Sequence, residues 1–124
     1  MANFEKALTQ ELKKVLPKVF PLIAPEGTPV PYIVYKSSYG DRDRVLEGYG
    51  QQREIDVTVH VVGGSYSDMK NYTNTMIDSL LLLEQSTMGT DLIPVQHVHY
   101  EQPEEHVDPI TKENHCFTEF KIRI

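Results

Sequence analysis

The sequence predicts one α+β domain over residues 1–124, a mainly antiparallel four-stranded sheet with two helices packed against it and a long loop between the first two strands. Three stretches carry that expectation. In residues 51–62, Ile55, Val57, Val59 and Val61 recur at every second place, with Glu54, Asp56, Thr58 and His60 between them. That is the period of a strand with one dry face. Just beyond it, Met69, Tyr72, Met76, Leu80 and Leu83 recur at spacings of three and four, with Ile77 and Leu81 widening the stripe. That is the period of a helix lying on a sheet. The closing run alternates again: Cys116, Thr118, Phe120, Ile122 and Ile124 on one face, His115, Phe117, Glu119, Lys121 and Arg123 on the other.

The strand at 51–62 is the organising element. Its β-branched side chains are stiff and suit a pleated surface. Burying Ile55, Val57, Val59 and Val61 is worth about 1.5–3 kcal/mol each, or roughly 6–12 kcal/mol before entropy. That rivals the whole net stability of a typical domain, about 5–15 kcal/mol, so this strand belongs inside the sheet.

Taken in order, Asn3 is placed to cap a first helix running to about Leu16, with Phe4, Ala7, Leu8, Leu12, Val15 and Leu16 on one side. Pro17 and Pro21 stop it. Residues 24–31 hold three prolines and a glycine and read as a stiff, irregular connector. Tyr32-Ile33-Val34-Tyr35-Lys36-Ser37 is the first strand. After the strand at 51–62, Gly63-Gly64 releases the chain into a turn, and Ser65 with Asp68 resembles a capping box opening the second helix. Residues 92–100 read as the third strand, in which Pro94 implies an edge position, a bulge or a later start. An acidic connection over 101–114, turning at Asp108-Pro109, leads into the last strand.

The bulk properties narrow the functional classes. With 40% hydrophobic and 24% charged residues, the chain reads as globular rather than disordered. A net charge of −6 argues against phosphate-backbone binding, and no sequence-specific nucleic-acid contact is expected. No apolar run reaches membrane-spanning length, so no membrane partner is expected, and the N-terminus does not read as a signal peptide. The lone Cys116 excludes an internal disulfide and suits a reducing cytoplasm.

Between the first two strands lies the most distinctive polar stretch, residues 38–50, longer than a hairpin turn needs. Tyr39, Leu46 and Tyr49 are candidate apolar anchors of an interface, and Asp41-Arg42 with Asp43-Arg44 candidate register-fixing ion pairs. The plain alternative is a solvated loop whose ion pairs are worth about 0–1 kcal/mol each.

No catalytic constellation emerges, and no enzyme activity, metal or cofactor is expected. His97 and His99 lie two apart on one strand face and could ligate a metal with His106, His115 or Glu101. A small metal-binding protein or enzyme is therefore the alternative reading. His99-Tyr100-Glu101 matches half of a zinc-deaminase signature, but one cysteine cannot supply the other half. Gly48-Tyr49-Gly50 lacks the third glycine and the following helix of a dinucleotide loop. Cys116, on the alternating last strand, reads as a small buried hydrophobe rather than a nucleophile.

The order of these features resembles a known family. Pro31-Tyr32-Ile33-Val34-Tyr35, the charged glycine-containing loop, the strand Arg53-Glu54-Ile55-Asp56-Val57-Thr58-Val59, the Tyr-Ser-Asp start of the second helix and the Asp108-Pro109 turn look like the tail-completion proteins of long-tailed bacteriophages and prophages. These are the tail terminators that join tail to head. The turn after Asp108-Pro109 departs from that pattern: it runs Ile-Thr-Lys-Glu-Asn and lacks the expected glycine. The resemblance implies an α+β subunit of a hexameric homo-oligomeric ring that caps the tail tube and ends its growth. Its implied partners are the tail tube protein and a head-connector or head-completion protein. Its implied location is the host bacterial cytoplasm during assembly and then the virion, at the head–tail junction.

Overall fold

A computed structural model describes residues 2–45 and 48–124, with 2, 3, 41–45 and 48–52 placed by their backbone. The elements run α1 (Ala2–Leu12), β1 (Val19–Pro21), β2 (Tyr32–Ser37), β3 (Asp41–Val45), β4 (Gly48–Gly63), α2 (Tyr66–Leu81), β5 (Ser86–Met88), β6 (Ile93–Val95), β7 (His97–Tyr100), β8 (Glu104–Val107) and β9 (Asn114–Arg123). The main sheet has the order β1-β2-β4-β9-β7, with β3 beside the first part of β4 and β8 beside the first part of β9. Strand β1 runs parallel to β2, and β2, β3, β7, β8 and β9 form only antiparallel pairs with their other neighbours.

The expected four-stranded, mainly antiparallel sheet is therefore corrected. Among the described residues the sheet has seven strands and mixed direction, and a separate two-stranded sheet pairs β5 with β6. The extra strands are those whose sequence carries no period. Strand β1 is only three residues long and ends on Pro21. Strand β3 is Asp-Arg-Asp-Arg-Val, polar at successive places. Every residue of β8 is exposed. Main-chain pairing with β2, β4 and β9 makes each of them a strand, and side-chain alternation does not announce it.

Other boundaries shift for local reasons. Helix α1 ends at Leu12, four places early, where Lys14 and Val15 N–H groups turn back to Glu11 and Leu12 carbonyls at 3.2 and 3.0 Å. Such a tightened last turn is common before a proline-led exit. The expected strand at 92–100 breaks at Gln96, so Pro94 sits in the short β6 and β7 is the later start. Helix α2 opens as its sequence indicates: Ser65 is the N-cap and its hydroxyl accepts the Asp68 N–H at 3.1 Å.

One core lies between the sheet and both helices. Ile33, Ile55, Val59, Val61 and Ile122 of the sheet are fully buried beside Leu8 and Leu12 of α1 and Met76 and Leu80 of α2. Glu11, 8% exposed, ties α1 to the β5–β6 turn: its carboxylate accepts the Gly89 N–H at 3.0 Å and meets Lys14 at 3.0 Å. With the helices on one face, the other sheet face stays open. No described helix is long and apolar enough to cross a membrane.

Candidate functional site

The expected loop is corrected in part: within the polar stretch 38–50, Asp41–Val45 is strand β3 and β4 begins at Gly48. Strands β2 and β3 lie along the same side of β4, separated by a bend at residues 38–40. At the bend the Ser38 N–H donates to the Asp56 carbonyl at 2.8 Å, and the Ser38 hydroxyl accepts the Asp56 N–H at 3.0 Å. Gly40 then takes a φ of +87°, and a Cβ there would stand 2.9 Å from Ile55 Cγ1. Glycine is needed on both counts.

Past the bend, β3 pairs with β4 from Asp41↔Glu54 to Val45↔Gly48. The β4–β9 pairing stops at Glu54↔Arg123, closed by N–H and carbonyl bonds exchanged between Arg53 and Ile124 at 3.1 and 2.9 Å. Residues 48–52 thus have β3 but no β9 partner. The result is a two-stranded arm running on from the sheet for about 17 Å, at roughly 3.3 Å per residue.

The structure brings most of the candidate interface residues onto this arm. Tyr39 stands at the bend, 88% exposed. Asp41, Arg42, Asp43 and Arg44 lie on β3, and Tyr49 lies on β4 opposite Arg44. Leu46 falls outside the described residues.

The open face of the sheet holds a second feature, which sequence reasoning did not assemble. His60 of β4 and His115 of β9 sit with Nε2 and Nδ1 2.7 Å apart, and the His60 ring stacks on Phe117 at 4.1 Å between centroids. His106 of β8 lies opposite His115, with ring centroids 6.1 Å apart. The His60 pKa falls from 6.5 to about 4, first because burial disfavours the cation and then because His115 and His106 repel it. The buried His115 Nε2 has no hydrogen-bond partner among the described residues. Alternation placed His60, His115 and Phe117 on wet faces, but only the β4–β9 register makes them neighbours. Elsewhere on β9, Lys121 and Arg123 each approach the Glu54 carboxylate at 3.9 Å.

His97 and His99 do not join that cluster. His97 Nδ1 meets Glu84 Oε1 at 3.4 Å, and Glu84 also accepts the Val98 N–H at 3.1 Å. His99 pairs in register with Lys121, six residues along β9 from His115, or about 20 Å at the rise of a strand. Among the described residues no group of three His, Cys, Asp or Glu side chains could hold a metal ion. Cys116 is buried on the core side, and burial is the main cause that raises its thiol pKa and keeps it protonated.

No family model matches the chain, and no curated protein matches it in sequence. Solved structures do share its fold. A chain of the virion of a native gene transfer agent particle superposes with a TM-score of 0.62 at 11% identity, covering 90% of this chain and 82% of that one. A second solved structure, of a protein carrying no functional description, gives 0.57 at 18% identity over 98% of this chain and 90% of that one. The likeness is one of fold, and it spans nearly the whole chain.

Proposed function

We propose that this chain is a structural, non-catalytic subunit of a phage-like virion, and more narrowly a tail terminator. The observation that carries the reading is the fold shared with a chain of a gene transfer agent virion over 90% of this protein and 82% of that chain. Subunits of this kind form a homo-oligomeric ring, expected to be a hexamer, on the end of the tail tube. The ring ends elongation and offers its far surface to a head-completion protein. The extended arm and the open sheet face supply contact surface beyond what the core requires.

The arm is the part proposed to meet a neighbouring subunit or the tail tube. The test is the double variant Arg42→Ala, Arg44→Ala. If the two side chains serve the contact and not the fold, the thermal melt stays within about 0.5 kcal/mol of the parent. Ring formation, read by sedimentation, or tail capping, read as tube length in electron micrographs, is lost. Normal rings and normal tail lengths would exclude the arm from the contact. A parent protein that never assembles and never limits tube growth would sink the terminator reading itself.

A further inference from the structure

The main sheet ends in two edges of opposite charge. At the β1 edge, residues 12–25 carry Lys13, Lys14 and Lys18 and no acid, while Glu26 and Glu113 stand beside Leu22 and Ile23 around a shallow pocket. Lys36 follows on β2, just past the point where β1 stops at Pro21↔Tyr35. Lys14 binds Glu11, and the Lys18 ammonium donates to the Pro29 carbonyl at 2.6 Å. Lys13 and Lys36 are exposed and make no ion pair among the described residues. Beside them Leu22, held at a φ of +63°, and Ile23 are 72% and 79% exposed.

At the opposite edge, residues 101–111 carry Glu101, Glu104, Glu105 and Asp108 and neither Lys nor Arg. Among the described residues only Glu105 of these four makes an ion pair, with Lys70 at 3.5 Å. Val107 on this edge is 52% exposed.

We infer that these two edges are the two halves of one contact between copies: the acidic β8 edge of one subunit docks against the basic, apolar β1 edge of the next. This rests on the ring reading and names its surfaces. Pairing like with like is disfavoured at either edge, because each would meet its own charge. Opposite edges instead give a head-to-tail contact, the kind that closes into a ring when the rotation between copies allows. In the order β1-β2-β4-β9-β7, with β8 beside β9, the edges stand four strand spacings apart, about 19 Å. One subunit therefore engages two neighbours at once. The exposed Leu22 and Ile23 supply apolar contact area on one side and Val107 on the other.

The experiment is a charge exchange in the full chain. One variant carries Lys13→Glu and Lys36→Glu, the other Glu101→Lys and Glu104→Lys. None of the four positions makes an ion pair among the described residues, so each variant should melt like the parent. If one does not, the neutral pairs Lys13→Gln with Lys36→Gln and Glu101→Gln with Glu104→Gln replace it. Alone, each charge-reversed variant should need about a hundredfold more protein for half-assembly by sedimentation equilibrium, the neutral pairs about tenfold. An equimolar mixture of the two reversed variants should assemble to the parent's mass, because each then offers the other a matched edge. Variants that assemble alone like the parent, or a mixture that stays monomeric, would overturn the edge contact and leave the ring reading standing. A parent that stays monomeric at every concentration would overturn both.

Discussion

Val59→Asp tests the facing of the whole sheet. Val59 is fully buried in the middle of β4, opposite Tyr35 of β2 and Thr118 of β9. Removing its side chain from the core forfeits about 1.5–3 kcal/mol of burial. The new carboxyl group must then stay protonated or be buried as an anion. A fully buried carboxyl rises by up to roughly 3–5 pKa units. At about 1.36 kcal/mol per unit, holding it neutral at pH 7 against an unfolded pKa of about 3.9 adds around 4 kcal/mol. The sum, near 6–7 kcal/mol, is comparable with the total stability of many domains, about 5–15 kcal/mol. Thr58→Asp is the matched control. Thr58 points to the open face between Glu119 and Lys36, so repulsion and attraction nearly offset and the change stays within about 1 kcal/mol. Circular dichroism melts at neutral pH read the difference. Val59→Asp should be insoluble or show no cooperative transition, while Thr58→Asp melts within a few degrees of the parent. A cooperatively melting Val59→Asp protein, or equal damage from both changes, would show that the dry face has been misassigned.

Two further outcomes follow from local geometry. His60 is held neutral in the fold, its pKa lowered from 6.5 to about 4. The unfolded chain therefore binds more protons across that window, and stability, complete above pH 6.5, falls as the pH drops towards 4. For so partly exposed a ring the shift corresponds to about 1–2 kcal/mol. Urea titrations at pH 7 and 4.5 should show that loss in the parent and less of it in His60→Phe; identical pH dependence would remove His60 as its source. Gly89→Ala should destabilise by about 2–5 kcal/mol, combining a left-handed φ of +70° with a Cβ 2.6 Å from Ala7 Cβ. A melt within about 1 kcal/mol of the parent would mean that α1 does not pack on this turn.

What could be read from the residues was whatever one dry face imposes. Ile55, Val57, Val59 and Val61 are all buried on β4, and Cys116, Thr118, Phe120 and Ile122 on β9, as their alternation requires. Met69, Met76, Ile77 and Leu80 of the α2 stripe are buried too. Strands that are short or without apolar alternation left no such mark, which is why β1 went unread between the helix-stopping prolines, and β3 and β8 read as loop and acidic link. The interface candidates were located by composition, but their setting was misread, because a hairpin extended past its sheet looks like a long loop until the register of Asp41↔Glu54 is known. The His60–His115–His106 cluster depends on two registers at once, β4 with β9 and β8 with β9, and no single-strand pattern contains either.

Strand β8 shows what the core does not explain. All four of its residues are exposed, so its ordering draws on almost no apolar burial. Fixing four residues costs about 4–8 kcal/mol of backbone entropy. Each main-chain bond to β9 returns about 0.5–1.5 kcal/mol net. The balance for the strand alone lies near or below zero, so β8 is a marginal part of a sheet whose centre is fully buried. Its outer edge also carries acids that find little cation in their own chain. A strand of this kind gains most when a second surface covers that edge, supplying positive charge and apolar area together. The β1 edge of another copy offers both, through Lys13, Lys36, Leu22 and Ile23. A marginal strand and the proposed subunit contact thus fall at the same place in the fold, and assembly would complete there what the single chain leaves marginal.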